Sequence, residues 1–287
     1  MALRKKGLAE YTIEGYGRRL RFLAKNTDIT SPETVKAFIS SQTTSSANKE
    51  ALANAYDHYI KYFGLKWEKP FYRREERLPN VPTTEQVNTI ISAFQMKYAT
   101  IFSILRDTGL RPCELHRLTL KYIDLENSTI TPQTAKNGSA RILRLPSPTL
   151  AMLKEFVVRI NPKQNERFFP TTKRMCHIWV HGRKQVAKKL KQPELTKYRL
   201  YDLRHYFATM LYHKTKDILL VKLQLGHRRI EHTLIYTHLV NFATDDYISR
   251  TVKLGTPTTL KEICELAESG FTKFTEIDEY QIFRKPK

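Results

Sequence analysis

Three clusters in this chain concentrate polar residues beside turns, where chemistry can be done. The first is Thr108-Gly109-Leu110-Arg111-Pro112-Cys113-Glu114-Leu115. Arg111 follows a glycine break at a helix start, where unpaired backbone N–H groups and a planar guanidinium fork can hold a phosphate. The structural alternative is an Arg–Glu pair that stabilises the helix turn. The second cluster is Tyr201-Asp202-Leu203-Arg204-His205. Arg204 lies between Leu203 and the Phe207, Met210 and Leu211 face, which partly buries it. A buried guanidinium needs a charged partner, either Asp202 or a bound phosphate. The third is Leu225-Gly226-His227, followed nine residues later by Tyr236 and then by His238. A phenol titrates near 10 and is a poor nucleophile at neutral pH, but surrounding guanidinium groups favour phenolate.

Each residue also has a plainer reading. Fifteen tyrosines occur in the chain, and Tyr236 has Leu234, Ile235 and Leu239 nearby, so packing competes with chemistry. Lys136 alone reads as a solvated turn lysine. Cys176, His177 and His181 include metal-ligand types, but the pattern places no fourth ligand, so no metal is expected. His232 and His238 read as facing a bound partner or as structural. Neither a phosphate-binding G-x-x-x-x-G-K-[ST] nor a dinucleotide G-x-G-x-x-G is present, so no nucleotide cofactor is expected.

The elements that must position these residues are mostly helices. Residues 9–25 carry Tyr16, Leu20 and Leu23 on one face, with Arg18, Arg19 and Arg21 between them. Helices follow over 32–41, with Ser31 as cap and Pro32 at the first position, and over 48–63. The stretch 66–81, with its prolines and alternating charge blocks, reads as a linker. Beyond it, Thr84 caps a helix with Val87, Ile90, Ile91 and Phe94, and another spans 98–107. Pro112 restarts a helix through Leu118. Residues 128–134 and 140–145 are β-prone runs flanking Asn137-Gly138, a hairpin turn signal. Helical patterns resume over 148–160, 203–213, 216–224 and 257–268, and FTKFTEIDEYQIF has strand character. The expectation is a mainly α protein with a small antiparallel β element, in two domains: 1–65, then 82–250, with a tail over 251–287.

Charge sharpens the choice of partner. Forty-nine Lys and Arg against twenty-eight Asp and Glu leave +21 over 287 residues. Residues 81–250 hold +15 of it, 1–80 hold +6, and 251–287 are neutral. Such a field attracts a polyanion, and nucleic acid fits it best. Candidate phosphate contacts are Arg18, Arg19 and Arg21, together with Lys173, Arg174, Arg183 and Lys184 from a stretch with nine basic residues against Glu194. No apolar run is long enough to span a bilayer, so no membrane is expected. Cys113, Cys176 and Cys264, odd in number and far apart, fit a reducing compartment.

The order TGLRPCEL, a lysine in a hairpin turn, an x-x-L-R-H helix, then LGH and a tyrosine nine residues on resembles the tyrosine recombinase (phage integrase-like) family over roughly 82–245. The resemblance implies a catalytic domain of integrase-like fold over 82–250. It implies a core-binding domain over 1–65, the two closing on duplex DNA as a clamp. It assigns Arg111 and Arg204 as the catalytic arginines, Glu114 as the acid supporting the first, Lys136 as the hairpin lysine, His227 as the later His/Trp position and Tyr236 as the nucleophile. One position departs. Tyr201 stands where the family usually has histidine, and a phenol supplies a donor but no imidazolium.

The implied activity is site-specific strand exchange through a covalent 3′-phosphotyrosine, with no cofactor and no metal. A homo-oligomer is implied, tetrameric in the synaptic complex, with the 251–287 tail docking on a neighbouring protomer. A cytoplasmic, nucleoid-associated protein of prokaryotic or viral origin is expected. Two alternatives remain: a type IB topoisomerase-like or hairpin-resolving enzyme, and a catalytically silent DNA-binding protein of the same fold.

Overall fold

In the computed structural model, which describes residues 2–74, 78–135, 138–237, 239, 247–277 and 279–286, the chain forms two compact units, Met1–Arg77 and Leu78–Lys287. The first is all helical: α1 (Ala2–Lys5), α2 (Glu10–Asn26), α3 (Pro32–Ser41) and α4 (Ser46–Phe63). Ser45 opens α4 by accepting from the Asn48 N–H, and Gly64 in the left-handed region closes it. Leu23, Val35, Ile39, Leu52, Tyr56 and Ile60 meet in one core, each such side chain contributing about 1.5–3 kcal/mol on burial. Ser31 occupies the cap position of α3 without a side-chain bond. Residues 66–74 stay with this unit: Trp67 and Tyr72 pack on its core, and Trp67 Nε1 donates to Asp57 at 3.3 Å.

The second unit is built around α6 (Met96–Thr108), whose Ile101, Phe102, Ile104 and Leu105 are buried on all sides. α5 (Thr84–Ser92) precedes it, opened by Thr83 and Gln86 in a reciprocal cap. α7 (Pro112–Arg117), α8 (Ser147–Ile160), α9 (Thr172–Leu190) and α10 (Asp202–Thr215) complete this layer. Trp179 of α9 sits edge-on to Phe102 at 5.0 Å and donates to the Tyr198 carbonyl. α11 (Ile218–Leu225) begins at Asp217, which accepts from two N–H groups, and ends at Gly226. α12 (Glu231–Leu234) follows. A smaller cluster of Ala208, Val221, Leu225, Tyr236 and Leu239 joins these elements.

Two sheets differ from the sequence expectation. β1 (Ile123–Asp124), β2 (Thr129–Ile130) and β3 (Leu143–Arg144) form an antiparallel sheet in that order, with Ile130 opposite both Ile123 and Leu143. The paired strands are two residues long, shorter than the 128–134 and 140–145 runs. The connection between β2 and β3 leaves the ladder because its backbone has other partners. Ala135 N–H donates to Glu114, and Ser139 N–H donates to the Gly226 carbonyl. β1 is too short to show alternation.

The second sheet has the order β4-β6-β5, from β4 (Tyr247–Lys253), β5 (Thr272–Ile277) and β6 (Tyr280–Pro286). What reads as one strand is therefore an antiparallel pair, with Ile277 opposite Tyr280. β4, which no sequence pattern announced, pairs with β6 over seven residues. α13 (Thr259–Glu268) lies between β4 and β5 in sequence and buries none of its residues, with Leu260 78% exposed. Among the described residues, no helix is long and apolar enough to cross a membrane.

Candidate active site

Arg111 occupies the N-cap of α7, held there by Glu114 one turn on. Glu114 Oε2 accepts from the Arg111 N–H at 3.0 Å, and Oε1 accepts from Arg111 Nη1 at 3.1 Å. Glu114 is wholly buried and also accepts from Arg141, at 2.7 Å and 3.4 Å, and from Ala135 N–H. Burial opposes its charge, but the two arginines outweigh burial and hold the carboxyl below its usual range. The Arg–Glu pair is present, and the Arg111 side chain keeps 14% of its surface exposed. Arg141 is a site residue that the motifs did not announce. Its position in the ARILRL run signalled strand and nothing more.

Arg204 lies on the first turn of α10 and is 1% exposed. Its partner is not Asp202, whose carboxylate instead takes the Arg199 N–H at 2.7 Å and Arg199 Nη2 at 3.2 Å. Arg204 Nη1 donates to the Gly109 carbonyl at 2.5 Å and Nη2 to the Leu225 carbonyl at 2.6 Å, while Nε has no partner among the described residues. These two acceptors lie two residues before Arg111 and two before His227, so a single side chain ties three motifs together. Burial, and after it the Arg111 charge, pulls the guanidinium down to about 10. Both disfavour the cation here, and the Glu114 charge offsets them only in part.

His227 follows the left-handed Gly226 cap. A Cβ at position 226 would stand 2.7 Å from Arg141 Nη1 and 3.0 Å from the Ser139 carbonyl, so only glycine lets these segments close up. His227 Nδ1 pairs with Thr233 Oγ1 at 3.0 Å. Burial, then Arg204 and Arg111, pushes the imidazole down to about 3, which leaves it neutral.

Tyr236, just after α12, is 2% exposed. The sequence reading expected neighbouring guanidinium groups to favour its phenolate. The balance runs the other way: burial raises its titration above the usual value by more than Arg204 and Arg111 lower it. A buried phenolate loses more hydration than two nearby cations return. The Tyr236 hydroxyl lies 3.1 Å from His205 Nδ1. Tyr201 is 41% exposed, and its ring stands edge-on to His205 at 5.3 Å. Lys136 lies outside the described residues, as does His238.

The candidate DNA contacts divide. Arg18 and Arg21 are exposed on α2, beside a surface hollow with Tyr11, Glu14 and Gly17, while Arg19 is half-buried and donates back to the Gly15 carbonyl. Lys173, Arg174 and Lys184 are exposed on α9. Arg183 faces inward with Met175, Trp179 and Val186, and its Nε and Nη1 have no partner among the described residues.

The family model described as the phage integrase family matches residues 80–241. The chain is 28% identical over 187 residues to tyrosine recombinase XerA of Saccharolobus solfataricus, covering 65% of this chain and 61% of that relative. Against tyrosine recombinase XerD of Chlamydia muridarum it is 24% identical over 269 residues, 82% of this chain and 87% of that relative. Among solved structures, the Tn1549 transposon integrase in complex with transposon right end DNA shares the fold at TM-score 0.65. It is 19% identical, with 84% of this chain and 95% of that one covered. XerH site-specific recombinase bound to difH substrate aligns at TM-score 0.55 and 21% identity, over 77% of this chain and 71% of that one.

Proposed function

The chain belongs to the phage integrase family, the tyrosine recombinases, and from that premise we propose that it cleaves and rejoins duplex DNA through a covalent 3′-phosphotyrosine at Tyr236. One observation carries the reading: Arg111, Arg141 and Arg204 converge with Glu114 as the one carboxylate among them in the described residues. Arg204 is buried on carbonyls alone. Such an excess of positive charge, beside a tyrosine hydroxyl, suits a phosphodiester.

In this reading Arg111 and Arg204 bind the nonbridging oxygens and stabilise the charge that develops there in the transition state. The neutral His227 hydrogen-bonds one of the same two nonbridging oxygens. Tyr236 Oη attacks in line, the Tyr–O–P bond forms, and the bond from phosphorus to the 5′ oxygen breaks. Lys136 delivers the proton to that leaving oxygen. A partner strand's 5′-hydroxyl reverses the step, so bond energy is conserved and no external energy source is needed. The two units act as a clamp on duplex DNA, with Arg18, Arg19, Arg21, Lys173, Arg174 and Lys184 on its backbone. Exchange takes place in a tetramer, with the 251–287 tail docking on a neighbouring protomer. The DNA named for the Tn1549 and XerH complexes supports the same partner.

Nicked suicide duplexes bearing candidate attachment sites test this directly. A covalent protein–DNA adduct with the parent protein, absent in Tyr236→Phe, is expected. No adduct on any such duplex favours a silent DNA-binding protein. An adduct without exchange between two duplexes favours the topoisomerase-like reading.

A further inference from the structure

We propose that His205 is the base that takes the proton from Tyr236, in a chain where Tyr201 cannot. The inference rests on Tyr236 being the nucleophile. His205 Nδ1 stands 3.1 Å from the Tyr236 hydroxyl, with the ring centroids 5.9 Å apart. That is hydrogen-bond reach for a proton that must leave as the oxygen attacks. The hydroxyl belongs to a side chain only 2% exposed, so bulk water is a poor acceptor for it.

The neighbouring groups are committed elsewhere. Glu114 is filled by Arg111, Arg141 and the Ala135 N–H. Asp202 is held by Arg199. His227 uses Nδ1 on Thr233 and lies among Arg204, Arg111 and Arg141, which disfavour a second proton on it. Tyr201 offers a phenol in place of an imidazole and is 41% exposed.

The placement has a local cause. His205 follows Arg204 on the first turn of α10, so the residue that fixes the guanidinium on Gly109 and Leu225 also fixes the imidazole one step round the helix. Burial holds His205 below its usual titration range, so the ring is neutral and able to accept. In the tautomer with hydrogen on Nε2, Nδ1 receives the Tyr236 proton as Oη bonds to phosphorus. The bond to the 5′ oxygen breaks, and that oxygen gains its proton from the acid on the leaving side. In religation the imidazolium returns its proton to the departing Tyr236 oxygen. No redox partner or further reactant is involved.

The test measures single-turnover adduct formation by the full chain on a suicide duplex. It uses His205→Ala, His205→Gln and Tyr236→Phe, on an ordinary phosphodiester and on one with sulfur at the 5′ bridging position. Sulfur leaves without protonation, so that duplex reports on the base alone. Both His205 variants should bind DNA and unfold like the parent, yet form adduct at least about 100-fold more slowly on either duplex. Gln keeps the volume and a hydrogen-bond acceptor but takes no proton, so His205→Gln at the parent's rate would overturn the proposal. Recovery of both variants on the sulfur duplex would also overturn it, by placing His205 on the leaving side. If Tyr236→Phe forms adduct as the parent does, the nucleophile assignment fails instead. If only the His205 variants match the parent, that assignment stands and the base assignment falls.

Discussion

Burying a histidine among guanidinium groups leaves it neutral, and His227 is the plainest instance in this protein. Its folded value of about 3 lies below the unfolded value of about 6.5. The unfolded chain therefore binds the extra proton. The stabilisation is complete above about 6.5 and is lost as pH falls through that window toward the folded value. His227→Asn removes the proton-binding difference. Urea midpoints measured from pH 7 down to pH 4 should therefore fall less steeply in the variant than in the parent, and equal slopes would contradict the buried neutral ring. Glu114 adds acid sensitivity of the same sign at lower pH, because its folded carboxyl is held below the usual range by Arg141 and Arg111 after burial has opposed them. The motifs made Arg111, Arg204, His227 and Tyr236 legible at this scale. Arg141 and the His205 contact with Tyr236 were not, because their partners lie 27 and 31 residues away in sequence.

At the scale of elements, the junction between α6 and α7 does more than end one helix and begin another. Gly109 takes φ +61°, and a Cβ there would overlap the Phe207 ring. Its carbonyl holds Arg204. Gly109→Ala should cost about 2–5 kcal/mol, combining the left-handed penalty with overpacking against Phe207. It should also lower adduct formation at temperatures where the variant remains folded. Thermal unfolding and the suicide-duplex assay read the two effects separately, and a variant within about 0.5 kcal/mol of the parent would refute the clash. Helix starts and stops were legible here, since Gly109, Pro112, Asp217 and Gly226 mark them by residue type. The 131–142 connection was not, because side-chain and backbone bonds to Glu114 and Gly226 displace the ladder its β-prone residues would otherwise form.

Across the whole molecule, the charge of +21 separates into parts with different work. Lys184 is exposed on α9, whereas Arg183, one residue earlier, is buried beside Trp179 and Met175. Lys184→Ala should weaken binding alike on cognate and scrambled duplexes and flatten the plot of log affinity against log salt by about 0.9. Unfolding should be unchanged. Affinity equal to the parent's at every salt concentration would remove Lys184 from the footprint. Fluorescence titration at several salt concentrations makes the measurement. Counting charges along the chain located the basic region but could not separate these neighbours, because burial on a helix depends on which face the core covers.

The sequence by itself determined the family, the mainly helical class and which residue types could act on one phosphate, because motif order and helix punctuation are local properties of the chain. Only the tertiary structure decided how those residues are charged and partnered. It put Arg204 on two carbonyls instead of Asp202, gave Glu114 to Arg141 as well as Arg111, and kept Tyr236 protonated against His205. Those outcomes follow from burial and from contacts between segments far apart in sequence, and neither is written in local spacing.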